Sequence, residues 1–164
     1  MNTLVNIIFI GAGATAVVDL WALARRRLLG VPLPNYGFVG RWIAHLTRGR
    51  LRHESIAAAA AVRGELALGW IVHFFTGIAF AAILPAVWGT EWIRAPRLMP
   101  ALFVGILTAA APFLVMQPAM GAGIAASRTP RPGTARLQTL VTHAIFGLGL
   151  YVAALIARTL FSGE

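Results

Sequence analysis

The sequence has no cysteine. It therefore cannot build a disulfide, a thiolate metal site, an iron–sulfur cluster or a thiol nucleophile. It has no lysine either: all 14 basic residues are arginine, and only 5 residues are acidic. Charged residues make up 12% of the 164, against about 25% in an ordinary soluble domain. That shortage excludes a disordered chain, a basic nucleic-acid arm and a typical soluble fold. Also missing are a phosphate-cradling glycine loop, a metalloprotease helix motif and a nucleophile–base pair, so the sequence leans away from an enzyme. What it has in abundance is apolar side chains, at 59%.

The apolar residues gather into long runs. A membrane-crossing helix needs about 20 of them, and four stretches qualify: Leu4–Ala24, Leu66–Trp88, Leu98–Ala126 and Leu137–Ala157. The first is read as a span rather than a cleaved signal, because no basic residue precedes it and its apolar run is too long for one. The expected fold is all-α, a single membrane domain over residues 1–164 in the form of a four-helix bundle.

Arginine sets the expected orientation. The loop over residues 25–65 carries Arg25, Arg26, Arg27, Arg41, Arg48, Arg50, Arg52 and Arg63, and the loop between spans three and four carries Arg128, Arg131 and Arg136. Only Arg94, Arg97 and Arg158 lie on the other side. Arginine-rich short loops stay in the cytoplasm, so both termini are expected outside. The net charge of +9 is then a topology signal, with the lipid bilayer as partner, anionic lipid at the Arg-rich loops and no nucleic acid.

The first loop carries a further expected element. Pro32, Pro34 and Asn35 mark a turn, and Asn35 can cap a helix. Val39, Trp42, Ile43 and Leu46 recur at helical spacing. This predicts a short interfacial helix near Tyr36–Thr47, with Trp42 toward lipid or bundle and Arg41 toward water or headgroups. His45 and His53 are expected solvated or lipid-facing. The Ala57–Ala61 run is expected to extend span two.

Strongly polar side chains within spans are costly and usually face the bundle interior. Asp19, His73 and His143 are the charged or readily ionised ones here, and Gln117 is a fourth strongly polar group, in the third span. Counted from the inner charged boundary they lie at similar depth, roughly 9–17 Å in. Gly69, His73 and Gly77 share a helical face, as do Thr139, His143 and Gly147; small residues at that spacing let membrane helices approach closely. The repeated His-x-x-x-Gly block suggests a parallel repeat of spans one–two in three–four. Pro112 and Pro118 interrupt the third span, each removing a backbone donor.

The stretches Ala14–Trp21, Gly40–Arg50, Arg63–Gly77, Pro112–Pro132 and Thr142–Tyr151 resemble a bacterial membrane family catalogued as domain of unknown function 2938. Met116–Pro132, reading MQPAMGAGIAASRTPRP, is the most specific part. The resemblance implies a four-span protein of the bacterial inner membrane and brings no activity with it.

Three functions compete on these residues. Asp19, His73, Gln117 and His143 could bind a proton, a cation or a small solute, with transport as the use and a homodimer or larger membrane complex as the working form. Alternatively, His73 and His143 could ligate haem b or a divalent metal. The third alternative is structural: an accessory subunit whose polar groups only join helices, where each hydrogen bond is worth about 0.6 kcal/mol.

Overall fold

A computed structural model describes residues 2–161. The described residues are helical or irregular, with no strand. Four helical stretches are long and apolar enough to cross a membrane: Thr3–Leu29, Glu65–Trp88, Leu98–Ala119 and Pro132–Leu160. Their exposed side chains include Leu20, Ile71, Phe75, Phe103, Leu137 and Val152, the composition of a lipid-facing surface.

The helices are α1 (Thr3–Leu29), α2 (Tyr36–Leu46), α3 (Glu65–Ala81), α4 (Ile83–Trp88), α5 (Glu91–Arg94), α6 (Leu98–Leu107), α7 (Gln117–Ala119) and α8 (Pro132–Phe161). A π-helical turn, Pro112–Met116, precedes α7, and a 3-10 turn, Ile124–Ala126, follows it. The chain divides into two compact units. One takes the chain up to Leu33, Phe74–Thr108 and the chain from Val141; the other takes Pro34–His73 and Ala109–Leu140.

The first unit holds the apolar core. Ile10, Ala14 and Val18 of α1 pack with Leu84, Trp92, Ala101, Val104, Phe146, Leu150, Ala153, Ala154 and Ala157. So many alanines bring helix axes close, and the glycine stripes bring them closer. A Cβ at Gly77 would overlap Thr15 Oγ1, and one at Gly105 would come within 2.6 Å of Gly147 Cα. The helical spacing of Gly77 and Gly147 thus does mark contact faces. Trp92, buried between α4 and α6, satisfies its indole N–H on the carbonyl of Arg97 at 3.2 Å.

The second unit is built on a crossing of α2 and α3. Asn35 caps α2 as expected, its side-chain oxygen accepting from the amide of Gly37 at 3.0 Å. A Cβ at Gly40 would overlap the carbonyl of Glu65, and one at Gly69 the carbonyl of Tyr36. The two backbones therefore touch, with glycine on each side of the contact.

The third span departs from its expected end at Ala126. Its helix stops at Ala119, because Gly121 adopts a left-handed φ of 97°. The amide of Ala122 then bonds the carbonyl of Gln117 at 2.8 Å and that of Gly121 the carbonyl of Pro118 at 3.3 Å, the paired bonds of a Schellman stop. Ala125 and Ala126 beyond it also have positive φ, and the carbonyl of Ala125 accepts from Arg136 Nε at 2.8 Å.

Two glycine replacements separate close approach from simple helix propensity. Gly40→Ala should destabilise the protein by about 1–3 kcal/mol or more, since the new methyl meets a backbone carbonyl that cannot step aside. Gly133→Ala, where nothing lies within 4 Å of the new atom, should be neutral or stabilising by up to about 1 kcal/mol. Thermal unfolding in detergent micelles reads both.

Candidate functional site

The polar chemistry of the second unit is strung along the α2–α3 crossing. At one end Tyr36 Oη and His73 Nε2 are hydrogen-bonded at 3.0 Å, with the phenol and imidazole stacked at 4.2 Å between centroids. Trp70 closes on the same tyrosine at 4.4 Å. Phenol and imidazole can exchange donor and acceptor roles, so this pair can hold or pass a proton.

In the middle sits Arg41, only 8% exposed. Its Nε donates to Glu65 Oε2 at 2.8 Å and its Nη2 to Oε1 at 2.7 Å. The fork fits a carboxylate edge to edge. Nη1 donates to the carbonyls of Ile56 and Ala59, each at 3.0 Å, and to that of Ala57 at 3.4 Å. Glu65 Oε2 also accepts from the amide of Val62 at 2.8 Å. Hydrogen bonding to Glu65 holds the Arg41 guanidinium above its ordinary pKa, against the opposing cost of burial.

At the far end His45 and His53 are bonded to each other, Nδ1 to Nε2 at 2.8 Å, and are 6% and 5% exposed. The chain after His53 runs alongside the end of the third span. The amide of His53 donates to the carbonyl of Ala119 at 2.8 Å, and that of Ile56 to Met120 at 3.1 Å.

The third span supplies one more polar group. Between its two prolines the amide of Gln117 reaches back to the carbonyl of Pro112, a bond one residue longer than the α-helical one. Thr139 gives its hydroxyl proton to the carbonyl of Ala135 at 3.0 Å, so its oxygen can only accept from Gln117 Nε2, at a long 3.4 Å. That fixes the amide's orientation. Gln117 Oε1 is left buried with no hydrogen-bond partner.

A family model described as Protein of unknown function (DUF2938) matches residues 8–157. The chain belongs to this family. No curated protein and no solved structure matches it.

The four intramembrane residues singled out in this DUF2938 protein fall in different units. His73 and Gln117 lie in the second, with Tyr36 and Thr139 as partners. Asp19 and His143 lie in the first. His143 Nδ1 is 3.1 Å from both Thr108 Oγ1 and the carbonyl of Gly105. Since Thr108 spends its proton on that same carbonyl at 2.7 Å, the ring nitrogen donates and Nε2 carries the lone pair. Asp19 sits half-buried on α1, one turn beyond Thr15. Each of the four is partly rather than fully buried.

The interfacial helix of the DUF2938 chain forms over Tyr36–Leu46 as expected, but three expectations around it are corrected. Arg41 faces neither water nor headgroups, because Glu65 and three carbonyls claim its N–H groups. His45 and His53 are neither solvated nor lipid-facing, because both are buried and bonded to each other, with His53 Nδ1 buried without a hydrogen-bond partner. The Ala57–Ala61 run does not prolong span two, because carbonyls that a helix would use internally turn to Arg41 instead. The signal was present in the sequence: Gly37, Gly40, Arg41 and His45 make up the buried side of α2, and two glycines on it announce a close neighbour.

Arg41→Gln and Glu65→Gln should each lower the melting temperature of the DUF2938 protein, and Arg41→Lys should fail to restore it, lacking the planar fork. The double Gln variant should lose less than the sum of the singles, a coupling that a double-mutant cycle measures.

Proposed function

We propose that this protein is a multi-pass protein of the bacterial inner membrane, both termini outside and the Arg-rich segments cytoplasmic, that binds a small solute or cation at the interruption of its third span. The observation that carries the reading is the buried, unpartnered Gln117 Oε1. A buried acceptor left empty costs about 1–3 kcal/mol, and the neighbouring threonine has no proton to offer it. Its natural complement is an N–H or O–H donor, an ammonium group or a hard cation, and an anion is refused. Broken spans with freed backbone carbonyls are the places where membrane proteins build such sites, and the π-helical turn stands directly before this one. Occupancy at that depth is the arrangement through which a solute passes if the protein transports.

A proton is the second reading, favoured by Tyr36 and His73. Bis-histidine haem or metal has weaker support. His143 holds Nε2 ready for a metal, but His73 Nε2 is engaged by Tyr36, which a metal must displace. Anionic lipid at the exposed Arg48, Arg50 and Arg52 suits the cytoplasmic side.

Sodium, potassium, ammonium, choline and glycerol, each titrated against thermal unfolding in micelles, test the site. One of them should raise the melting temperature of the wild type, by up to about 2.7 kcal/mol of stabilisation at a hundredfold excess over Kd. Gln117→Leu should abolish that rise. A wild type indifferent to all five, or a rise that survives Gln117→Leu, overturns the reading. For orientation, a periplasm-dependent reporter fused to the C-terminus should be active, and a cytoplasm-dependent one silent.

A further inference from the structure

His45 and His53 are buried titratable groups that the Gln117 reading does not use. Their nitrogens are 2.8 Å apart and their ring centroids 5.0 Å apart. That centroid separation is almost wholly taken up by the 2.8 Å contact and one ring radius at each end. The rings therefore meet edge to edge, with the two nitrogens aimed along one line. This is the geometry of a single proton between two lone pairs. A metal ion on the same line would force the rings apart by more than an ångström, at about 2.0–2.1 Å per metal–nitrogen bond.

We propose that the His45–His53 pair is a proton-binding latch that holds the His53–Ile56 segment against the end of the third span and releases it on taking up a second proton. An N–H···N bond needs one bare nitrogen. The bond survives with both rings neutral, and with one of them an imidazolium. Two imidazolium ions set N–H against N–H and place two positive charges in contact. The surroundings add to that opposition. Arg50 lies near His53, Arg41 stands one turn before His45 on α2, and Glu65 at the start of α3 is committed to Arg41. Arg52 and Glu54, on either side of His53, are exposed; the Ala119 carbonyl works the other way by favouring the charged His53 ring, and His53 Nδ1 is buried without a hydrogen-bond partner.

Burial, followed by the charges of Arg50 and His45, holds His53 below its ordinary imidazole pKa. A base depressed in this way contributes stability above the ordinary imidazole value of about 6.5. That stability is lost as pH falls below it, because the open form binds the proton more readily. The bonds that go with the latch are His53 N–H to Ala119 and Ile56 N–H to Met120, together with the seat of Glu54's carbonyl against Gly121. Ala119 is two residues past Gln117, so the latch also regulates access there. That consequence rests on the Gln117 reading above, whereas the latch itself does not.

Amide hydrogen exchange of the full-length protein in micelles, corrected for intrinsic rates, tests it at about pH 7.5 and about pH 5, on either side of the imidazole range. In the wild type, protection of peptides covering 53–56 should fall by at least about tenfold at the lower pH. In His53→Gln, whose amide can bond His45 without titrating, protection should persist at both. Unchanged wild-type protection, or an equal loss in His53→Gln, overturns the latch. If the variant does not fold, nitrogen NMR of the wild-type histidines decides the question. The pair should titrate in two separated steps, the second below the ordinary range; two independent titrations at the ordinary value overturn it. Gln117→Leu should leave the exchange profile unchanged, so a failed solute titration and a failed latch remain distinguishable.

Discussion

A guanidinium taken out of water must find acceptors for its N–H groups, and Arg41 finds them by dictating the path of its surroundings. Glu65 accepts two of its hydrogen bonds and opens α3. The chain from Ile56 to Ala59 stays out of a helix so that its carbonyls can accept the rest. The second unit's long irregular stretch is thus a folded ligand of one side chain. Breaking such a buried pair by removing one member leaves a charge uncompensated, so the arrangement is retained as a whole.

The constraint works only because α2 and α3 can touch. Glycine at 40 and 69 brings the backbones into contact, which sets Arg41 on its carboxylate and Tyr36 on His73 in the same stroke. The first unit uses the same device, with alanine and glycine replacing bulk wherever α1, α3, α6 and α8 approach their neighbours. In a membrane, where apolar burial gives little reason for helices to associate, close approach supplies the packing.

The architecture was readable because its signals are additive. Run length announces a span, helical periodicity a buried stripe, and neither depends on a particular partner. The α2 helix was equally plain, from its cap and its apolar periodicity. The fate of Arg41, His45 and His53 was not, because an amphipathic helix looks the same whether its polar face meets headgroups or another piece of protein. Only the glycines on that polar face distinguish the two, and their weight depends on where Glu65 falls in space. The early end of the third span is similar. Pro118 and Gly121 both argue for a stop near Ala119, yet the alanine-rich sequence beyond them keeps its apolar character and masks it. Gln117 was noticed as polar. That its acceptor is orphaned depends on Thr139 having already spent its proton, which no spacing rule conveys.

The bonds from His53 and Ile56 to Ala119 and Met120 join a loop before the second span to residues at the end of the third. Their partners do not exist while the loop is being synthesised. During biogenesis the segment must wait, with its amides in water, through the insertion of two further helices. Arg41 and Glu65 pair as soon as α3 emerges and can hold the loop in a half-made form. The order of assembly is therefore written into the contacts, first the ion pair, then the strapping of the loop onto the finished third span, and a chain stalled between the two would leave the His45–His53 region uncovered.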